Sequence, residues 1–347
     1  MKIAVYAIAK NEEQFVERFC NSAKDADLIL IADTGSTDDT GIKAVEHGAL
    51  VYDICVNPWR FDTARDAALS LVPSDIDVCI SLDLDEELQP GWREEIERVW
   101  KNETTRLRYK FDWGCGICFY YEKIHHRKGY YWKNPVHEYP MPRFGTKEVY
   151  AQTDKLLVVH KPDNTKSRGQ YLPLLELSVK EDPHEPRNAF YYARELTFYS
   201  KWLDAVVALN KYLDMPEATW QNERAYAMRL LGKCYDQLGQ DGRDWLRKAC
   251  KEAPNTREVW VELAQSCYAK SEWQECFDSC NTALEIKDKE LVYTMNPEVW
   301  GALPHDLLAI SAHHLGLSEI AITHGKIATE LDPDNTRLIN NLNYYLE

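Results

Sequence analysis

The chain has 347 residues, 45% hydrophobic and 28% charged, with a formal net charge of −15 at pH 7. That length allows two or three domains of ordinary soluble composition, and the acidic balance disfavours a non-specific nucleic-acid binder, which needs a basic field. No apolar run approaches the roughly 18 residues of a membrane span. The opening MKIAVYAIAKNEE lacks a signal peptide's apolar segment and cleavage site, and ten cysteines follow no framework spacing, so reduced thiols in a cytoplasmic protein are expected.

Ile3 to Ile8 alternates apolar residues and predicts a first strand. Lys10-Asn11-Glu12-Glu13 follows, then a helix with Phe15, Val16 and Phe19 on one face. Leu28 to Ala32 predicts a second strand, ending in Asp33-Thr34-Gly35-Ser36-Thr37-Asp38-Asp39-Thr40. Gly35 permits a tight turn there, and Ser36, Thr37 or Asp38 suits the cap of a helix starting near Thr40. Capping leaves Asp33 unexplained; an acidic residue after an early strand of a βαβ unit often takes hydrogen bonds from a nucleotide's base or ribose. A helix over 41–47, a third strand over 49–56 and a helix opening at Ala64 come next. A cation in a helix's first turn opposes the dipole, so Arg65 points to an anionic partner: Asp62, Asp66 or a bound phosphate.

Val78 to Leu82 predicts a buried strand that runs into Asp83-Leu84-Asp85. Alternation in an extended chain puts both carboxylates on one side. They fall at the carboxyl edge of the sheet, where α/β folds bind ligands. Close carboxylates repel, and a divalent cation with oxygen ligands would offset their charge. A competing reading makes Asp85, Glu86 and Glu87 the acidic first turn of a helix through 92–100. The repeated strand-helix order predicts a doubly wound α/β sheet. With no GxxxxGK[ST] loop and no GxGxxG, a P-loop NTPase or a dinucleotide enzyme is disfavoured.

KNEE at 10–13, DTGSTDDT at 33–40, ARDAAL at 64–69 and LDLDEEL at 82–88, in that order, resemble the inverting family 2 glycosyltransferases of the GT-A fold. The departures are Asp66, where the family often has Asn, and Leu84, where it often has Ala. The resemblance implies a GT-A domain with a doubly wound mixed sheet. It implies metal-dependent transfer of a hexosyl or pentosyl group, with inversion, from a nucleotide diphosphate sugar, first of all a UDP-sugar, with Mn2+ or Mg2+ as cofactor. Carried over residue by residue, Glu12 and Asp33 would hold base and ribose, Arg65 the base or diphosphate, Asp83 the ribose or metal, and Asp85 the metal directly.

From Leu107 the composition turns aromatic and basic. Phe111, Trp113, Phe119, Tyr120, Tyr121, Tyr130, Tyr131 and Trp132 suit either a sugar platform or cross-strand pairs in a β-rich region. Lys123, His125, His126, Arg127, Lys128 and Lys133 form a basic stretch that could face donor phosphates or an anionic acceptor. Cys115-Gly116-Ile117-Cys118 is a lone CxxC; with His125 and His126 it could hold zinc, but no second pair has ligand spacing. Val136-His137-Glu138 resembles a Val-His-Glu in the acceptor region of family members that carry tetratricopeptide repeats. Glu138 is accordingly the first candidate for the general base and Asp112 the second. A histidine often completes the metal site of this fold: His160, ending the apolar run 155–159, comes first and His137 second, each otherwise a hydrogen-bonded structural histidine. A nitrogen ligand tilts the preference toward manganese.

Residues 164–169 read as a linker, and 170–181 as a helix packing back on the first domain, giving domains 1–165 and 186–347 joined by 166–185. The rest is helical, with small residues at repeated spacings: Ala309, Ala321, Ala328 and Pro333; Ala264, Cys276, Ala283 and Asp288; Ala193, Ala205, Tyr212 and Glu217; and, two residues short, Gly232, Ala249 and Pro254. This resembles four tetratricopeptide repeats with a capping helix over 336–346 and an insert around 290–304. Such an all-α solenoid serves a protein or peptide partner, or supports the catalytic domain. The alternative to an enzyme is a non-catalytic scaffold with an inactive transferase domain. A nucleotidyltransferase would need a Gly-rich basic loop where KNEE stands. Protein, glycan and modified nucleobase all remain open as acceptor.

Overall fold

β1 (Ile3–Ala9) is buried along its whole length, and the N-terminal sheet grows outward from it on both sides. The computed structural model describes residues 1–163 and 169–347. It divides into two units, Met1–Ser178 with Leu291–Tyr293, and Val179–Glu290 with Thr294–Glu347. The expected boundary at 165 and most of the expected linker lie outside the described residues.

In the first unit, β2 (Leu28–Asp33), β3 (Leu50–Asp53) and β4 (Val78–Ser81) run parallel to β1. Then come β5 (Glu86–Leu88), β6 (Arg106–Gly114), β7 (Ile117–His126) and β10 (Tyr150–His160); β8 (Tyr130–Lys133) and β9 (Tyr139–Pro142) form a separate ribbon. The large sheet has the order β3-β2-β1-β4-β7-β6-β10-β5. β7 is antiparallel to β4 and β6, β10 is parallel to β6, and β5 is antiparallel to β10, so the sheet is mixed. The chain winds one way from β1 to β3 and crosses back to β4. That reversal opens a crevice at the carboxyl ends of β1 and β4. The third strand is shorter than predicted: as the sheet's edge it exposes Leu50 and Tyr52.

Helices α1 (Glu13–Ser22), α2 (Thr40–Glu46), α3 (Phe61–Leu71) and α4 (Trp92–Val99) cover the faces, and α5 (Tyr171–Glu181) is the helix expected over 170–181. α1 turns Phe15, Val16, Phe19 and Cys20 inward, as its spacing predicts. Residues 85–87 are not the start of a helix: 86–88 pair with β10 as β5, and α4 begins six residues after Glu86, at Trp92. Beneath the crevice, Trp132 Nε1–H donates to the Tyr6 hydroxyl (2.8 Å), which donates to His125 Nε2 (3.0 Å), while His125 Nδ1–H donates to the His126 carbonyl (2.9 Å). Each group in this chain is satisfied by a neutral Nδ1–H imidazole, and burial pushes the His125 pKa down to about 4.

The second unit is all helical: α6 (Pro186–Phe198) with α7 (Trp202–Leu213), α8 (Gln221–Gln237) with α9 (Arg243–Glu252), α10 (Arg257–Ala269) with α11 (Trp273–Glu285), α12 (Ala302–His314) with α13 (Ser318–Leu331), then α14 (Thr336–Leu346). The recurring small residues Ala193, Ala205, Ala249, Ala264, Cys276, Ala283, Ala309, Ala321 and Ala328 are buried between paired helices. At Gly242 the approach is closest, since a Cβ there would meet the Gly232 carbonyl oxygen at 2.0 Å. All ten cysteines are free thiols. Among the described residues no helix is long and apolar enough to cross a membrane.

Candidate active site

The carboxyl edge of the sheet begins with Asp33, the last residue of β2. Its Oδ1 accepts from the Gly35 and Ser36 amides (2.9 and 2.7 Å), which folds the loop back over the strand end. Gly35 has φ +99°, open to glycine and strained for other residues. The two acidic loops are laced together: Asn11 N donates to Ser36 Oγ (2.9 Å), Thr37 N to Asn11 Oδ1 (2.7 Å), and Glu12 N to Thr40 Oγ1 (2.7 Å). Ser36 and Thr37 therefore tie the loops rather than cap α2; Asp38 alone takes the Thr40 amide, at 3.1 Å. The side chain of Asp33 and the backbone of Glu12 are thus held at the crevice by polar bonds within one small cluster.

The Asp-Leu-Asp segment departs from prediction. β4 stops at Ser81, and the Glu86 amide donates to the Asp83 carbonyl (2.9 Å), closing a turn. The two carboxylates do not share one side of a strand; they meet different partners. Asp83 lies between two cations: Arg65 Nη2 donates to Oδ1 (2.5 Å) and Lys123 Nζ to Oδ2 (3.2 Å). These two charges offset that of Asp83. Burial alone would raise the Asp83 pKa, but Arg65 and Lys123 outweigh it and hold it well below the usual carboxylate range. Lys123 also reaches Glu86 Oε1 (3.4 Å), whose own pKa is raised by burial.

Arg65 is the hub. α3 starts at Phe61, four residues before Arg65, so Arg65 lies beyond the first turn and its charge does not face the helix's amino end. Its partners are not Asp62 or Asp66. Asp62 pairs with Arg60 (2.8 Å), and Asp66 accepts the Trp132 amide (2.8 Å). Arg65 is 3% exposed and bonds Glu138 through Nε, Asp83 through Nη2 and Ser81 Oγ through Nη1 (3.2 Å), with its guanidinium 5.0 Å from the Trp132 ring centre. Burial opposes its charge, and the two carboxylates more than compensate, so its pKa is raised. One buried cation thus fixes Glu138 and Asp83 relative to each other.

Asp85 takes the other direction. His160 ends β10 at the same edge, and its Nε2 stands 3.4 Å from Asp85 Oδ2. Burial lowers the His160 pKa, but the bond to Asp85 and the nearby acids raise it further, for a net rise. Trp113, 48% exposed, packs against His160 with the rings tilted by 32° and their centres 4.4 Å apart. Strand alternation turns Asp112 to the opposite face from Trp113, and its Oδ1 accepts the Gly114 amide (2.9 Å). His137 stacks on Tyr171 (5.7 Å), which also stacks on Phe61 (6.3 Å).

Two ligands of one cation at ~2.1 Å stand about 3.0–3.4 Å apart. The Asp85–His160 separation lies within that span. His160 Nδ1 is buried without a partner. Among the described residues no three His, Cys, Asp or Glu side chains group around a metal position. Asp85 and His160 are thus one carboxylate and one imidazole that would be the donors for a cation at this edge.

The other predicted clusters disperse. Cys115 and Gly116 make the β6–β7 turn, and Cys118 to His125 spans about 23 Å of strand, which removes the zinc reading. The basic stretch is not one patch. Lys123 is buried at Asp83, His125 is buried at Tyr6, and Arg127 donates to the Val72 carbonyl (2.7 Å). Phe111, Phe119 and Tyr121 form the cross-strand aromatic cluster. Lys123 and Glu86 stand beside Asp83, where the sequence marked Lys123 only as part of a basic stretch and Glu86 only as part of a helix start. Ile80 pairs with Ile124, so Lys123 falls beside Ser81; this register between β4 and β7 is the only signal that marks it.

Residues 4–142 match the model of the family described as Glycosyl transferase family 2. The N-terminal unit carries a family 2 glycosyltransferase domain. An uncharacterized glycosyltransferase of Rickettsia bellii is 34% identical over 112 residues, 31% of this chain and 37% of the relative. One of Rickettsia conorii is 34% identical over 113 residues, 31% and 38% respectively. The chain thus spans well under half the length of these curated relatives. Among solved structures, the tetratricopeptide-repeat protein YrrB is 14% identical over 49% of this chain and 81% of its own, with a TM-score of 0.40. Glucosyl-3-phosphoglycerate synthase of Mycobacterium tuberculosis is 24% identical over 32% of this chain and 44% of its own, with a TM-score of 0.26. The mixed sheet of this glycosyltransferase domain is of the GT-A type, and the helical pairs that follow are tetratricopeptide-like.

Proposed function

We propose that this glycosyltransferase domain moves a sugar from a nucleotide diphosphate donor, a UDP-sugar first, to a nucleophilic acceptor in one inverting displacement. The observation that carries the reading is the Asp85–His160 pair at the carboxyl edge, beside the exposed Trp113. Asp85 and His160 would hold a divalent cation, manganese before magnesium because of the imidazole. Such a cation, when bound, neutralises charge growing on the leaving diphosphate. Asp33 and Glu12 sit in the laced loops at the switch point and would receive the base and ribose.

Glu138 is the proposed base: its carboxylate would take the proton from the acceptor's nucleophilic atom. Arg65 holds that carboxylate in place. Asp83, neutralised by Arg65 and Lys123, is proposed to orient the ribose rather than ligate the cation. Trp113 offers an apolar face on which a sugar ring could lie. The transferred group is proposed to be a hexosyl or a pentosyl group. Protein, glycan and modified nucleobase remain the acceptor classes.

A thermal-shift screen of UDP-, GDP-, CDP- and dTDP-sugars, each with and without Mn2+, tests the reading. A ligand at 100 times its Kd stabilises by about 2.7 kcal/mol. The reading expects a shift with one nucleotide that depends on the metal. No shift with any of them, in a folded protein, would overturn it.

A further inference from the structure

Arg127 and Lys128 of the basic stretch, and Asp66 of α3, take no part in the proposed reaction. With Ser70, Tyr130 and Arg143 they line a cleft of about 380 Å³. Small-molecule pockets usually span about 300–1,000 Å³. Residues 127–130 follow His126, which pairs with Val78, the first residue of β4. The cleft therefore opens at the amino edge of the sheet, whereas Asp83 and Asp85 follow β4 at the carboxyl edge.

Two guanidinium groups are fixed in this cleft by backbone carbonyls. Arg127, half-buried, donates from Nε (2.9 Å) and Nη2 (2.7 Å) to the Val72 carbonyl, and its amide donates to the Asp77 carbonyl (3.0 Å). Arg143 Nε donates to the Tyr130 carbonyl (3.2 Å), its amide to the Gly129 carbonyl (2.7 Å), and its guanidinium lies 5.4 Å from the Tyr131 ring centre. Gly129 lets the two loops close on each other, since a Cβ there would meet Thr146 Oγ1 at 2.8 Å. Carbonyl bonds orient a guanidinium without cancelling its charge. Every other described arginine of the first unit, from Arg18 to Arg108, pairs with a carboxylate. Among the described residues Arg127, Lys128 and Arg143 pair with none, although the chain carries a net charge of −15. Asp66 is the one carboxylate in the lining; its Oδ1 accepts the Trp132 amide (2.8 Å), and burial raises its pKa. The lining thus sets three cations against one acid.

We infer that this cleft binds the phosphate group of a small soluble phosphate ester, away from the proposed donor site. The free N–H groups of Arg127 and Arg143 meet the phosphate oxygens, for which the planar guanidinium fork is suited, and Lys128 adds a point charge. The headgroup of an anionic lipid offers the same chemistry, but a chain of net charge −15 is repelled from an anionic bilayer, which favours the soluble ligand. This inference is independent of the catalytic reading.

The test titrates glycerol 3-phosphate into the full chain with EDTA present and follows the phosphorus NMR line width, at ~0.05 M salt where screening is weak. Binding saturates below ~10 mM, and glycerol itself does not bind. Arg143→Gln, at an exposed position, weakens binding on the order of tenfold, as loss of a charged donor implies. Lys128→Gln, also exposed, weakens it about two- to fivefold and serves as the second variant. Asp66→Asn keeps an acceptor for the Trp132 amide, removes the negative charge, and tightens binding about twofold or more. Asp85→Ala leaves the affinity unchanged, which separates this cleft from the proposed diphosphate site. No saturation in the folded protein, equal affinity in both cation variants, or weaker binding in Asp66→Asn overturns the inference. Sedimentation with vesicles containing phosphatidic acid tells the two phosphate sources apart: the protein stays in the supernatant, and binding to vesicles without binding to glycerol 3-phosphate overturns the assignment to a soluble ligand.

Discussion

Replacing Arg65 by Met removes the cation that ties Glu138, Asp83 and Ser81 together. Breaking a buried ion pair from one side costs about 3–5 kcal/mol, because the remaining charge is left without compensation. The two carboxylates are not equally exposed to that loss. Asp83 has a side chain 39% exposed and keeps Lys123, so its share is small. Glu138 is 9% exposed and carries most of the cost. The expected destabilisation is therefore near the lower bound, about 3 kcal/mol. Removing the stranded charge as well should recover part of it: Arg65→Met with Glu138→Gln is expected to be about 1–2 kcal/mol more stable than Arg65→Met alone. The two units need not unfold together, so the readout must be local. Hydrogen exchange of peptides from β4 and α3 across a urea series isolates the first unit. Arg65→Met within about 1 kcal/mol of the unaltered protein, or a double variant no better than the single one, would refute the hub reasoning.

Other consequences follow from the same geometry. His125 is buried neutral with its pKa pushed down to about 4, below the ordinary value of about 6.5. Its contribution is complete above pH 6.5 and is lost as pH falls toward 4, so the first unit should lose up to about 3 kcal/mol over that window; His125→Phe, if folded, should flatten the slope, and an unchanged slope would contradict the assignment. Gly242→Ala drives a Cβ into the Gly232 carbonyl and should destabilise the second unit by about 3 kcal/mol, read by exchange in α8 and α9. Lys123→Met leaves Glu86 buried without its cation, and Glu86 should take up a proton. Infrared absorption of a protonated carboxyl that disappears in Lys123→Met/Glu86→Gln would show it.

The strands β1, β2 and β4 were legible because apolar runs report burial directly, and the acidic loops because polar residues at a strand's end have no place in a core. The spacing of Ala264, Cys276 and Ala283 was legible for a similar reason: only small residues let paired helices close. What was not legible depends on register or on distant partners. Asp83 and Asp85 separate because β4 ends at Ser81 and a turn closes behind it. Whether a cation or a metal meets Asp83 depends on Lys123, forty residues away and aligned only by the β4–β7 pairing. The basic stretch read as one patch because neighbours in sequence were taken as neighbours in space. Lys123 and His125 turn inward from β7 and are buried at different partners, while Arg127 lies past the strand's end at Val72, so the stretch divides. The segment 286–300 lacked any pattern of its own, since Arg229, Arg257 and Glu258 supply its structure from other helices.

Asp85 and His160 are proposed to form the metal-dependent end of a nucleotide diphosphate site. Isothermal titration of UDP into the protein with Mn2+ present tests it most directly, run beside Asp85→Ala and His160→Ala. The account predicts binding to the unaltered protein that falls at least tenfold without Mn2+, and both variants folded but no longer responsive to the metal. Equal UDP affinity with and without Mn2+, or metal dependence that survives Asp85→Ala, would contradict it.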